Sequence, residues 1–314
     1  VILDRDDADL FDRVRKSGLA DDARSINAAR LSKISAEHGI DFATAVFYLA
    51  HRASDDLPGP EETPPTLLIV PGAFHRHHHG TGADGSRLMA AARELGWPAE
   101  VLPVGSLASV LTNAEILIDH LTRLTGRPVV LASLSKGSAD VVAALRHQRA
   151  ADAFASVQGW LNLSGLVRGT ALIEWLRARP LRLAGVHLLL WSKGLRFAPL
   201  DELRRSPGGP VHEPWSLPSH VRAIHVVGCP TRRHLRHPWA VRGYDRLTPL
   251  GPNDGGGILL GDLAGLPGLI YPVWGTDHYL DPPWDFSQTV RRLLRHAAQS
   301  HSAASATPDT RSTA

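Results

Sequence analysis

The chain has 314 residues, 43% of them hydrophobic, enough to bury a sizeable core and too many for a fibrous or disordered protein. Its 34 lysines and arginines against 31 aspartates and glutamates leave a formal charge of +3, a modest excess with no basic block, so nucleic-acid binding is not implied. One cysteine, Cys229, excludes an intramolecular disulfide or a zinc site built on several thiolates, and no apolar run reaches the roughly 18 residues of a membrane span. With no signal-peptide pattern either, the sequence reads as that of a soluble protein, the cytoplasm being favoured slightly over secretion.

Ile26, Leu31 and Ile34, then Ala45, Val46 and Leu49, recur at helical spacing and predict two helices, over 21–38 and 42–53. They form an N-terminal cover that ends, with an acidic, proline-rich linker, near residue 60. From there strands and helices alternate: strand 67–70, helix 86–95, strand 99–104, helix 108–124, strand 128–132, helix 138–145 and strand 157–163. Strands 223–227 and 269–274 and a helix over 286–298 complete the series. This rhythm predicts an α/β protein with a mainly parallel sheet and helices on both faces, its core formed by residues 61–164 and 220–299. Residues 165–219 are longer than a crossover requires; they read as an inserted helical cap or lid, the plainer alternative being helices packed on the sheet edge. Residues 300–314, rich in Ser, Thr and Ala, read as a disordered tail.

Chemistry points to the junction of strand 128–132 and the helix after it, Ser133-Leu134-Ser135-Lys136-Gly137. A serine in a cramped strand-to-helix turn exposes its hydroxyl beside backbone N–H groups. The pentapeptide alone leaves two readings open, a nucleophile or a helix cap. A serine nucleophile needs a base and an acid to orient it. Reactive groups gather beyond the carboxyl ends of parallel strands, and His278 follows the last predicted strand. Asp254, in Asn253-Asp254-Gly255, lies between the last two strands and is the first choice for the acid; Asp245 is the runner-up and Asp262 the third. Pro71-Gly72-Ala73-Phe74 follows the first core strand. There the N–H of Ala73 or Phe74, with that of Lys136, would form an oxyanion hole.

In this order of nucleophile, acid and histidine, with an oxyanion turn upstream, the chain resembles the α/β-hydrolase superfamily, and within it bacterial lipases and esterases. Pro71-Gly72-Ala73-Phe74, the segment from Leu163 to Thr170, and Asn253-Asp254-Gly255 carry the resemblance over roughly residues 67–298. The chain departs from the pattern at Ser133, where glycine is usual, at Pro71, where the oxyanion turn has histidine, and at Lys136 after the nucleophile. The resemblance implies a serine hydrolase that cleaves carboxylic esters, small or lipid-like, through an acyl-enzyme and without a cofactor. A thioesterase or acyltransferase would use the same triad, and a non-catalytic binding protein could share the fold.

Trp160, Trp175, Trp191 and Trp274 are candidates to line an acyl site. His75-Arg76-His77-His78-His79 reads as a solvated loop rather than a metal site, since it holds no carboxylate and an arginine interrupts it. Arg232 to His237 read as a basic loop that could attract an anionic substrate or lipid headgroups.

Overall fold

The computed structural model of the protein describes residues 4–52, 64–76, 81–207, 209–282 and 284–299. Most of the expected linker, His77 to His79 and the expected C-terminal tail lie outside the described residues. Strands β1 (Thr66–Val70), β2 (Ala99–Val101), β3 (Val129–Leu134), β4 (Val157–Leu163), β5 (Arg222–Cys229) and β6 (Leu269–Trp274) form one sheet in the order β2-β1-β3-β4-β5-β6. Every neighbouring pair is parallel. Their near-continuous apolar character follows from burial on both faces.

The two-residue period of the strands divides their side chains between two cores. Leu68, Val70, Leu131, Trp160, Val227 and Trp274 face one way. There they meet α1 (Arg5–Ser17), α2 (Ala28–His38), α3 (Ile40–His51), α5 (Val110–Arg123) and α6 (Lys136–Leu145). Leu67, Ile69, Val130, Ala132, Leu161 and Ile224 face α4 (Ser86–Leu95) and α12 (Ser287–Ala298). A short α7 (Ala150–Ala153) leads into β4.

Besides the short α7, two helices differ from the sequence expectation. α1 was not anticipated, because only Leu10, Phe11 and Val14 carry its apolar stripe. Its ends are well specified: the Asp4 side chain accepts from the Asp7 N–H, and Gly18 closes the helix in the left-handed conformation. The expected basic loop continues into α11 (Pro238–Leu247), which starts on Pro238 and is capped by His237.

Between β4 and β5 the chain forms α8 (Ala171–Arg177), α9 (Pro180–Ser192) and α10 (Ala198–Asp201). Within α9 only Leu190 is buried, while Leu181, Leu188, Leu189 and Trp191 are exposed. The segment is tied to the core by Glu202, whose Oε2 accepts from the Ser109 hydroxyl at 3.1 Å and the Val110 N–H at 2.6 Å. It thereby satisfies an orphan donor at the start of α5.

Candidate active site

Ser135 joins β3 to α6 with φ 48° and ψ −113°, a left-handed conformation that a non-glycine residue adopts only under constraint. The constraint is visible on both sides. Its N–H donates to the Leu163 carbonyl at 3.1 Å, and its carbonyl accepts from Leu166 at 3.0 Å and Ser138 at 3.1 Å. Gly137 lets α6 approach β1: a Cβ there would lie 2.5 Å from the Val70 carbonyl oxygen and 2.7 Å from that of Pro71. Among the described residues, four non-glycine residues have positive φ: Phe74, Ser135, Ser164 and Leu280. They follow β1, β3, β4 and β6, and all four line one cavity. Strain gathered at the carboxyl edge of a sheet is a mark of a functional site.

The loop after β6 brings His278 to the cavity wall, and the loop after β5 places Asp254 behind it. His278 Nε2 lies 2.9 Å from Ser135 Oγ, and its Nδ1 lies 2.6 Å from Asp254 Oδ2. The carboxylate accepts from Nδ1–H, so Nε2 is left to accept the serine proton. Asp254 is fully buried, and its other oxygen accepts N–H bonds from Gly256 at 2.9 Å, Gly257 at 3.0 Å and Ile258 at 2.9 Å. The His278 N–H also donates to the Asp254 carbonyl at 2.8 Å. Burial alone would lower the pKa of His278. The charge and hydrogen bond of Asp254, with the charge of Asp277, outweigh it and leave the pKa raised. Such an arrangement can take a proton from Ser135 and hold the resulting imidazolium.

Of the two expected N–H groups after β1, the structure commits one elsewhere. Phe74 N–H donates to the Ser106 carbonyl at 2.9 Å, which removes it from the expected oxyanion set. Ala73 N–H has no acceptor among the described residues, nor has Lys136 N–H in the first turn of α6. Ala73, Lys136 and Ser135 line the same cavity.

The residues behind the turn were only partly legible. Ser133 is not merely a small residue in place of glycine. It accepts from the Trp160 indole N–H at 2.8 Å and lies 2.7 Å from Ser138 Oγ, which donates to Asn162 Oδ1 at 2.7 Å. Asn162 Nδ2 then meets His225 Nδ1 at 2.7 Å, and His225 Nε2 meets the Pro267 carbonyl at 3.0 Å. Ser133, Asn162 and His225 are register partners on β3, β4 and β5, so a polar row crosses the buried sheet and ties α6 to it. Its donors and acceptors run in one direction from Trp160 to Pro267. Beside it, Lys136 Nζ donates to Asp140 Oδ1 at 2.6 Å, both side chains almost fully buried, and Asn113 Nδ2 donates to Asp140 Oδ2 at 2.9 Å.

Other expected site residues fall elsewhere. None of the four tryptophans lines the cavity. Trp160 is spent on Ser133, Trp274 packs against Phe11 and Tyr48, Trp175 is covered by arginines, and Trp191 points to solvent at 75% exposure. Trp239 lines the cavity instead. Asp245 pairs with Arg232 on the surface, and Asp262 pairs with Arg205. Among the described residues, Asp4, Asp7 and His234 have metal-like spacing, but the Arg233 guanidinium already bonds to Asp4, Asp6 and Asp7. In the histidine-rich loop, His75 Nδ1 lies 2.9 Å from the Gly72 carbonyl.

The cavity has a volume of about 540 Å³, in the range of a small-molecule site. Leu163, Leu166, Ile173, Leu190 and Leu203 give it apolar walls, with Ser135 and His278 among its lining residues.

No protein-family model and no curated protein matches the chain. Solved structures do match it. The metagenomic carboxyl esterase MGS0156 superposes with a TM-score of 0.52 at 22% identity, over 90% of this chain and 91% of that one. The mature form of the Bacillus licheniformis lipase BlEst2 gives 0.50 at 18% identity, over 77% of this chain and 96% of that one. Its propeptide form gives 0.53 at 19%, over 77% and 52%. At these identities the likeness carries the fold. The chain has the α/β-hydrolase fold, shared with carboxylesterases and bacterial lipases over most of its length.

Proposed function

We propose that the protein is a serine hydrolase of carboxylic esters. Ser135 attacks the ester carbonyl, His278 takes its proton and later returns it to the leaving alcohol, and Asp254 fixes the imidazole tautomer. The N–H groups of Lys136 and Ala73 hold the tetrahedral oxyanion, donors worth about 3 kcal/mol each in acyl transfer. Water, activated by His278, then releases the acid. The observation that carries this reading is the continuous Asp254–His278–Ser135 hydrogen-bond chain at the wall of an apolar cavity. Residues 61–164 and 220–299 make the catalytic core, and residues 165–219 cap it: Ile173, Val186, Leu189, Leu190 and Leu195 line the cavity from that segment. Walls of this kind favour acyl chains or aromatic groups over sugars.

Labelling with a fluorophosphonate probe and a panel of 4-nitrophenyl esters of graded chain length test the reading. Wild-type protein should be labelled and should turn over esters, and Ser135→Ala should lose both. A folded, unlabelled and inactive wild type would overturn it. Faster turnover of acyl-thioesters than of oxygen esters would move the same triad to a thioesterase.

A further inference from the structure

Beside the cavity stands a group of arginines that the ester chemistry does not use. Trp175, on α8, has Arg179 at 4.2 Å and Arg246 at 4.3 Å from its ring centroid, with Arg182 at 5.1 Å. One helical turn before Arg246, Arg242 lies 5.3 Å from the ring of Trp239. Among the described residues none of these four arginines has a carboxylate partner; Arg179 bonds only to the Trp175 carbonyl. This is not the habit of their neighbours. Arg177 and Arg204 share Asp201, Arg205 takes Asp262 and Arg232 takes Asp245. Aromatic faces hold guanidinium groups in place without neutralising them. The remaining field is strong enough to act within the group: burial first, and then Arg182, Arg242 and Arg179, lower the pKa of Arg246.

The position of the cluster gives it a use. Arg246 and Trp239 line the same cavity as Ser135 and His278, while Leu166, Ile173 and Leu190 supply apolar wall to it. A ligand that fills such a space with its ester at Ser135 lays its body along apolar walls and meets Arg246 at the arginine side. Guanidinium forks suit a carboxylate or phosphate in particular.

We propose that Arg246, with Arg182, Arg179 and Arg242 around it, forms an anion subsite for the far end of the substrate, so that the preferred esters carry a carboxylate or phosphate beyond an apolar chain. The assignment rests on the ester-hydrolase reading.

The test compares 4-nitrophenyl monoesters of adipic, suberic and sebacic acids with the same esters whose far carboxyl is blocked as a methylamide. At low ionic strength the free acids should show kcat/KM higher by about tenfold or more, mainly through KM, as a charge-assisted contact used in binding gives. High salt should shrink that ratio. In Arg246→Gln it should fall towards one, and in Arg182→Gln it should fall in part. The ratio is taken within each variant, so a variant that folds poorly does not mimic the result. Equal kcat/KM for free and blocked esters in the wild type would overturn the proposal. So would arginine-dependent sedimentation with phosphatidylglycerol vesicles, but not phosphatidylcholine vesicles, without a preference for the soluble acids; that would give the cluster to a lipid surface. Absence of turnover on both ester series together with absence of fluorophosphonate labelling would instead remove the hydrolase reading beneath it.

Discussion

Asp254 receives three N–H bonds on one oxygen and His278 on the other, so its position is fixed by backbone and its charge is aimed along one bond. An amide in its place can present N–H to Nδ1 and reverse the imidazole tautomer, which takes the acceptor away from Ser135. Asp254→Asn should therefore lower kcat by roughly 10³–10⁴. Asp245→Asn, which changes only a surface pair with Arg232, should stay near wild type, and the reverse ranking in a 4-nitrophenyl ester assay would move the acid role to Asp245. Gly256 tests the same geometry by size. A Cβ there would lie 2.0 Å from His278 Cγ, so Gly256→Ala should displace the ring and abolish turnover in a protein that still unfolds cooperatively. The raised pKa of His278 sets the pH dependence. In the proposed mechanism its neutral form is the base, so kcat/KM should rise with pH through a value above the ordinary 6.5. Its contribution to stability has the opposite course, present below 6.5 and lost as pH rises through the folded value. A pH–rate profile with its ascending limb below 6.5 would contradict this assignment.

At the scale of elements, α6 carries the turn that presents Ser135, and a buried charge pair within its first turns is linked to α5. The Lys136–Asp140 pair lies one turn apart along α6 and is joined by Asn113 from α5. Burial pushes the Asp140 carboxyl up to about 6 in spite of the Lys136 ammonium. A buried pair of this kind is more costly to break than to replace. Lys136→Met alone should lose about 3–5 kcal/mol of unfolding free energy, and Lys136→Met with Asp140→Asn should recover much of that loss in urea titrations. Additive losses would mean that the two groups are not coupled. The strands, the parallel order and the sequence Ser135, Asp254, His278 were legible because each has a local signature: buried apolar runs of strand length, a small-residue turn, and acid and histidine in loops after late strands. The pocket was not legible in the same way. Trp160 belongs to the buried row beneath Ser133 because strand register places it there, and no spacing within β4 discloses its partner on β3. Trp274 likewise faces α1 and α3, and α1 itself was hidden by a composition in which charge outweighs the apolar stripe. Its caps, Asp4 and Gly18, were the signal that could have revealed it.

Over the whole molecule, the polar row through the sheet makes stability depend on one neutral imidazole. His225 accepts from Asn162 at Nδ1 and donates to the Pro267 carbonyl from Nε2, which only the uncharged ring can do. A proton on Nδ1 would face the Asn162 amide with donor against donor inside the core. Burial lowers its pKa to about 4 from the ordinary 6.5, with the Pro267 bond opposing the shift. The unfolded chain then binds a proton that the folded chain refuses. Stability from this residue is complete above 6.5 and is lost as pH falls from there towards 4, a total of roughly 3 kcal/mol. Burial lowers His51, His234 and His296 in the same direction, while the raised carboxyls of Asp41, Asp140, Asp262 and Asp277 and the raised imidazole of His278 act oppositely, gaining stability as pH falls. Unfolding free energies from urea titrations between pH 7 and 4 should therefore carry a loss from His225 in the wild type, set against the gain from the raised carboxyls. That loss should be missing from His225→Gln, whose amide can still donate to the Pro267 carbonyl but does not titrate, so its stability should drop less, or rise more, as pH falls. That variant loses ring packing against Trp160 and should start from a lower value at neutral pH, so the slope rather than the absolute stability is the measurement. Equal slopes in the two proteins would place the acid sensitivity in the other buried histidines and remove it from the row behind Ser135.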